Sequence, residues 1–447
     1  MEFGELTGKK VLVIGLARTG TECARFLTGQ GASVSVSDLR SAAELKATVE
    51  ALAGLPINYH FGGEQTSWLD GVDSVIPSPG VPMENSLLKE AVARRIPVMS
   101  EIELAAGLFR APLVAITGTN GKSTTTTLIG AMLKADGRKT FLGGNLGAPF
   151  IGAVSEEWDW GVIEVSSFQL EWVERFRPRI ALYLNVVEDH LDRYPNFADY
   201  RRTKERIFAA QTKDDVAILN RDDPLVWRLS RHLKARVISF GFPEVAAGVF
   251  ARGDEIVWRG GAEEERFSLG KVKIQGVHNV ENLMAAIAAA KCAGVSRRAI
   301  ENTLEEFPGL EHRLEFVRER VGVRYFNDSK GTNVGAVVKS LASFPGPVIL
   351  LAGGVDKGGD YAPLADAVKR KVRRLVLFGA AKQIIAEALG RLTETVMVAD
   401  LEAAVRDAAA HARPGDVVLL SPACSSFDQF KNYAERGRVF KQLVQGL

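Results

Sequence analysis

The sequence has little of what marks a secreted, membrane-inserted or polyanion-binding protein. Only 3 cysteines occur among 447 residues, at Cys23, Cys292 and Cys424, and no two form a CxxC pair. Such spacing argues against a disulfide framework and against a zinc site, and it fits a reducing compartment. No charge of one sign dominates: 56 basic side chains stand against 54 acidic ones, a formal charge of +2. That balance gives no general attraction to nucleic acid or an anionic membrane. Long apolar runs are also missing. Stretches such as Pro347–Gly353 fall far short of the ~20 residues a membrane-spanning helix needs. Met1–Lys10 carries two acidic residues and no apolar segment, so it does not read as a signal peptide. There is no internal repeat, no low-complexity tract and no Pro/Ser-rich linker. These absences leave the expectation of a soluble, cytoplasmic protein without a nucleic-acid partner or membrane insertion.

What is present is globular: 46% hydrophobic and 25% charged residues in a chain too long for one ordinary core. Short apolar strands alternate with amphipathic helices throughout, the pattern of α/β layers. Lys9–Gly15 reads as a buried strand, Thr19–Gln30 as its helix, and Ser33–Asp38 and Asp73–Pro77 as further strands. Ser86–Arg95 (helix) and Ile96–Met99 (strand) close this unit. A second unit starts at strand Leu113–Thr117 and a long helix from Lys122. Its strands continue at Trp160–Glu164, Ile180–Val186, Asp215–Asn220 and Arg236–Phe240. Val249–Val272 reads as a peripheral antiparallel patch, and Asn279–Ala293 as a helix. A third unit has strands at Arg318–Phe326, Val348–Ala352, Arg374–Phe378, Val396–Val398 and Asp416–Leu420. The expected fold is α/β in three domains, 1–102, 103–309 and 310–447. The first would be Rossmann-like, the second a P-loop-type mononucleotide-binding domain, and the third doubly wound.

The strongest local signal is Thr117-Gly118-Thr119-Asn120-Gly121-Lys122-Ser123-Thr124, set between a strand and a helix. Glycines let backbone N–H groups approach phosphates, and the helix N-terminus adds its positive dipole end. Lys122 would reach the terminal phosphates and Ser123 would ligate Mg²⁺. Ile116 stands where a strict GxxxxGK[ST] loop has its first glycine, so the loop belongs to a variant class. Glu164 ends a strand nearby and could hold Mg²⁺; a helix cap or an ion-pair partner is the plainer alternative. The segment Asn185–Arg193 brings His190 and several carboxylates to another strand end. It reads either as a second metal site or as a solvated polar loop. Lys204, in the helical stretch Asp199–Ala210, reads from its surroundings as a solvated helix lysine.

Gly15-Leu16-Ala17-Arg18-Thr19-Gly20 imitates a dinucleotide fingerprint, but Ala17 replaces its second glycine. This weakens a nicotinamide reading and leaves a nucleotide diphosphate at a helix N-terminus. Pro77-Ser78-Pro79-Gly80 turns at the same edge. In the third unit, Asn327–Asn333, Gly353–Gly358 and Ser421–Phe430 all follow strands, placing Lys, Ser and Asp at the ligand edge of an open sheet. Cys424 reads as a small buried thiol, since no base stands near it at a motif spacing.

Together these segments resemble the Mur ligase family. The resemblance rests on TGTNGKST, on the Glu164 and Asn185–His190 segments, and on His278-Asn279-Val280-Glu281-Asn282 and Glu311-His312-Arg313, in the family's order. NDSK-TN and SPACSS-DQFK extend it to the end of the chain. The resemblance implies ATP-dependent addition of D-glutamate to UDP-N-acetylmuramoyl-L-alanine through an acyl phosphate, in peptidoglycan precursor synthesis, by a monomer. ATP would be met by Gly118, Thr119, Asn120, Gly121, Lys122, Ser123, Thr124, Asn279, Asn282, Arg313 and Asp328. Arg18, Thr19, Asp38, Arg40, Ser78, Gly80, Asn145 and His190 would meet the UDP-substrate. Lys330, Thr332, Lys357, Ser426 and Tyr433 would surround D-glutamate. Ser123, Glu164, His190 and Lys204, the last as a carbamate, would serve two Mg²⁺ sites. Lys122, Glu164, His190 and Lys204 would be the catalytic set. Gly331, where the family has alanine, and Tyr433, where phenylalanine also occurs, are departures. Alternatives are another amino-acid ligase of the superfamily, such as folylpolyglutamate synthase, a P-loop switch ATPase, and a nicotinamide oxidoreductase.

Overall fold

The central strands of the sheets, such as Leu113–Thr117, Val216–Asn220 and Val348–Gly353, are buried on both faces, which is what a parallel sheet flanked by helices requires. The computed structural model describes residues 6–261, 263–274 and 276–447. Residues 1–5 of the N-terminal stretch and residue 262 within the antiparallel patch lie outside the described residues, as does residue 275.

The first sheet holds β1 (Lys10–Ile14), β2 (Ser33–Asp38), β3 (Ile57–Phe61) and β4 (Ser74–Pro77), in the order β3-β2-β1-β4. All its pairings are parallel. Strand order reverses between β1 and β4, so a crevice opens beyond their carboxyl ends. Ile96–Met99 does not extend this sheet as a strand; it contributes one bridge, Val75 to Val98. β3 is not among the expected strands: it alternates Ile57, Tyr59 and Phe61 with Asn58 and His60 over only five residues, and none of them is fully buried.

The second sheet holds β5 (Leu113–Thr117), β6 (Thr140–Gly144), β7 (Trp160–Glu164), β8 (Ile180–Tyr183), β9 (Val216–Asn220), β10 (Arg236–Gly241), β11 (Gly248–Arg252), β12 (Glu255–Arg259) and β13 (Glu265–Ser268). Its order is β13-β12-β11-β10-β9-β8-β5-β7-β6. β11, β12 and β13 pair antiparallel, as expected for the peripheral patch. β5 lies centrally between β8 and β7, and every residue of β5 is buried. The helices Lys122–Ala135 and Val277–Cys292 cover one face through Leu128, Ile129, Met132, Leu283, Met284 and Ile287. Burying one such side chain contributes roughly 1.5–3 kcal/mol.

The third sheet holds β14 (Glu315–Arg320), β15 (Val323–Asn327), β16 (Val348–Gly353), β17 (Val372–Phe378), β18 (Glu394–Met397) and β19 (Val417–Leu420), ordered β14-β15-β19-β16-β17-β18. The single strand expected over Arg318–Phe326 is instead an antiparallel hairpin of β14 and β15. Val321 and Gly322 turn it with φ of 51° and 72°, a left-handed pair that suits a tight hairpin. The turns after β15, β16 and β19 leave the sheet at the same carboxyl edge. No helix among the described residues is long and apolar enough to cross a membrane.

Candidate active site

The loop after β5 is shaped by glycine. Gly121 takes φ +87° at the helix start, and a Cβ there would stand 2.2 Å from Asn282 Oδ1. Only glycine permits both the left-handed turn and that approach. Lys122 folds back and donates to the Gly118 and Thr119 carbonyls at 2.9 and 3.0 Å, so its ammonium stays over the loop. Burial pushes its pKa down, while the Glu164 carboxylate opposes that shift.

Glu164 closes β7 and is only 3% exposed. It accepts from Ser123 Oγ at 2.5 Å and from Asn145 Nδ2 at 2.6 Å. Burial works against its charge, yet Lys122 and these donors hold its carboxyl below the usual range. Among the described residues it neither caps a helix nor makes a direct ion pair; the cap of the following short helix is Ser166. Arg313 arrives from the third domain and donates to Ser123 Oγ at 2.8 Å. A buried ionised carboxylate touching a serine hydroxyl at a phosphate-type loop is a hard-oxygen donor set suited to Mg²⁺. Groups of three or more His, Cys, Asp or Glu able to hold a metal do not occur among the described residues. An Mg²⁺ at Ser123 and Glu164 would complete its shell with phosphate oxygens and water, as is usual for that ion.

Lys204 departs furthest from its expectation. It is 2% exposed, not solvated. Its ammonium donates to Gly118 O at 3.0 Å and lies 4.7 Å from the Tyr200 ring centre, with no ion pair among the described residues. Burial, then the nearby Lys122 charge, pushes its pKa well below the usual value. A neutral amine is the form that can add CO₂, and a carbamate would place a buried anion beside the phosphate-type loop. Thr119 Oγ1 contacts Tyr200 Oη at 3.2 Å, so the loop and the Lys204 helix brace each other.

His190 takes the left-handed φ of 57° and packs edge-on to Phe168, with ring centres 4.8 Å apart. Burial lowers its pKa, which keeps the imidazole neutral and able to ligate. Sequence patterning counts the neighbouring Asp189 only among the carboxylates of the Asn185–Arg193 segment, with no role of its own. Asp189 pairs with Lys357 of the third domain at 3.5 Å and accepts from Asn333 at 3.2 Å. Opposite charges in two strand-end loops hint at such a pair, but 168 residues (357 minus 189) separate them. Asn333 also reaches Asn120 of the phosphate loop at 3.3 Å.

Two of the cavities between these two domains gather the expected site residues. One is lined by Asn120, Gly121, Thr124, Asn279, Asn282 and Arg313, with Asp328, Lys330 and His278 facing them. Asp328 is buried and accepts from Ser340 and Ser421, each at 2.7 Å; burial pushes its pKa up to about 6. The other cavity, about 870 Å³, brings Lys330, Thr332, Lys357, Ser426 and Tyr433 together with His190. Burial brings the Lys330 ammonium down to about 7, and it sits 3.9 Å over the Tyr433 ring. Cys424 is buried behind this wall with its thiol pushed up to about 11, chiefly by burial.

The first-domain residues form a separate crevice. Asp38, Arg40, Ser78 and Gly80 line it, while Ala17 rather than Arg18 or Thr19 stands on its wall. Arg18 and Thr19 open the adjoining helix Arg18–Gly29. Asp38 accepts from Leu16 N at 2.7 Å and from the Arg40 guanidinium. Burial works against its charge, but these donors hold its carboxyl at about 2. Ser78 Oγ donates to Gly15 O at 2.6 Å, fixing the turn against β1.

Known proteins resemble the chain along its length. Residues 9–100 match the Mur ligase MurD-like N-terminal domain, 116–290 the Mur ligase middle domain and 312–424 the Mur ligase glutamate ligase domain. A protein named UDP-N-acetylmuramoylalanine–D-glutamate ligase from Geotalea daltonii is 51% identical over 99% of this chain and 98% of its own. Its namesake from Trichlorobacter lovleyi is 49% identical over 99% and 100%. The solved UDP-N-acetylmuramate-alanine ligase MurC of Thermotoga maritima shares the fold, with TM-score 0.61 and 21% identity over 98% of this chain and 99% of its own.

Proposed function

We infer the reaction from one premise: this chain belongs to the Mur ligase family. It is an ATP-dependent ligase that joins D-glutamate to UDP-N-acetylmuramoyl-L-alanine in peptidoglycan precursor synthesis. The observation carrying this reading is the meeting of two chemistries in one cleft. The Lys122–Ser123–Glu164–Arg313 cluster suits phosphoryl transfer, and a cavity bearing Lys330 and Lys357 beside His190 suits a dicarboxylic amine.

A carboxylate is a poor electrophile, because its charge is delocalised and repels nucleophiles. Transfer of the γ-phosphoryl group of ATP to the alanyl carboxylate creates a leaving group. Lys122 and Arg313 offset the charge that develops during that transfer. Bound Mg²⁺ would neutralise phosphate charge and align the transferring group. Ser123 and Glu164 would hold one such ion, and His190 with a carbamylated Lys204 a second. The D-glutamate amine then attacks the acyl carbon, and the tetrahedral intermediate expels phosphate to leave an amide. Lys330 and Lys357 bind the two carboxylates of D-glutamate, with Thr332, Ser426 and Tyr433 completing the cavity. Asn145 steadies Glu164 and faces the UDP-substrate. Asn279, Asn282 and Asp328 hold the nucleoside of ATP, and the Asp38–Arg40 crevice holds the UDP group. The enzyme works as a cytoplasmic monomer. Closure of the central and third domains excludes water from the acyl phosphate.

The test is phosphate release from ATP and UDP-N-acetylmuramoyl-L-alanine with a panel of amino acids. Release should depend on D-glutamate; release driven by L-lysine, diaminopimelate or L-alanine instead sinks the assignment. A switch ATPase would turn over ATP without either small substrate.

A further inference from the structure

Arg193 spans a boundary that the reaction scheme leaves unexplained. It lies in the central domain, in the turn after β8, and its side chain is 11% exposed. Its Nε donates to Glu171 Oε1 at 2.9 Å, and Nη2 also meets that carboxylate, whose side chain is 1% exposed. The same fork crosses into the first domain, where Nη2 donates to Val81 O at 2.8 Å and Nη1 to Gly80 O at 3.4 Å. Gly80 and Val81 line the crevice with Ser78 and Asp38. On its other side the guanidinium stacks on Phe168, 4.4 Å from the ring centre. Phe168 in turn packs against His190. The backbone closes the circuit, since Arg193 N donates to His190 O at 3.0 Å.

Glu171 alone would satisfy the charge of Arg193. The bonds to two peptide carbonyls of another domain serve something else. Those carbonyls belong to a turn that must fit the UDP-substrate, and any shift of the turn moves a rigid planar fork wedged against Phe168. We propose that Arg193 is a positioning residue that links the first-domain crevice to His190, so that occupancy by the UDP-substrate sets the acyl-transfer site. The assignment rests on the ligase reading. Arginine is required because one planar group must hold Glu171, grip the two carbonyls and stack on a ring. Lysine keeps the charge and loses the fork.

Steady-state kinetics on Arg193→Lys and Phe168→Leu test this. Arg193→Lys should raise KM for the UDP-substrate and lower kcat, each by roughly tenfold, the upper range for a coupling residue. KM for ATP should stay near wild type. Phe168→Leu keeps the carbonyl grip and breaks the stack, so it should lower kcat with little change in that KM. A merely structural Arg193 would give a lower melting temperature with both kinetic constants unchanged, and that result overturns the assignment. Phe168→Leu at the wild-type kcat overturns it as well, and needs no folded Arg193 variant. Wild type that releases no phosphate with all three substrates sinks the ligase reading itself. Full wild-type turnover beside an unaffected Arg193→Lys sinks only the link.

Discussion

The phosphate edge of the second sheet and the crevice of the first are built alike, with a strand running into a turn at a helix start. They differ in what surrounds the charges. Around Lys122 and Glu164 the charges are buried, and the groups that balance them come from β7, from Asn145 just after β6 and, through Arg313, from the third domain. Around Asp38 the partner is Arg40, two residues along the chain and 47% exposed in its side chain. Electrostatic interactions are strong where water is excluded and weak where it is not. The first arrangement is suited to offsetting charge that develops during phosphoryl transfer, and the second to holding a ready-made anion.

The contrast breaks if single changes at the two places have similar effects. The largest loss is expected from Lys122→Ala, which removes the ammonium held over Gly118 and Thr119. Its kcat should fall by at least about a thousandfold, with a near-UV dichroism spectrum like that of wild type. Lys204→Ala comes next. Turnover should drop by about a hundredfold or more, and added short carboxylic acids should restore part of it by replacing the carbamate. A variant at the wild-type rate would exclude the carbamate.

Smaller effects sharpen the comparison. Lys330 has its ammonium brought down to about 7, so the cation that meets D-glutamate is present below that pH and lost above it. The profile of kcat/KM for D-glutamate, which reports the free enzyme, should fall on its alkaline side from about 7. Lys330→Arg, charged at every accessible pH, should remove that limb. The smallest change is expected from Asp38→Asn, roughly 1–2 kcal/mol in urea unfolding at neutral pH. The folded pKa of Asp38, about 2, lies below the ordinary 3.8. Its contribution is therefore complete above 3.8 and fades as pH falls through about 2. The gap between wild type and variant should close over that same interval, and a constant gap would contradict the cause given for the shift.

Much of this was legible in the chain. The glycine-rich loop, Glu164 at its strand end and the three polar turns of the third sheet follow from local patterning, because strand, turn and helix signals act over a few residues. The β14–β15 hairpin was not, since a bulge between Phe316 and Arg318 and the turn at Val321 interrupt its alternation. The burial of Lys204 was not either. Its helix is strongly polar around it, and only packing against Tyr200 and the Gly118 loop removes it from water. The resemblance supplied a role for that lysine which its local sequence contradicts. Asp189 and Lys357 each stood in a quoted segment, but nothing local joins them.

By itself, then, the sequence determined the layered α/β architecture, the phosphate loop and the chemical types gathered at each sheet edge. These depend on periodicity and turn chemistry between near neighbours. The tertiary structure alone decided which charges meet and which are taken from water: Arg313 on Ser123, Lys357 on Asp189, Arg193 on the Gly80–Val81 carbonyls. Each of these joins residues of two domains, and both distance and desolvation are properties of the packed molecule, which no local pattern encodes.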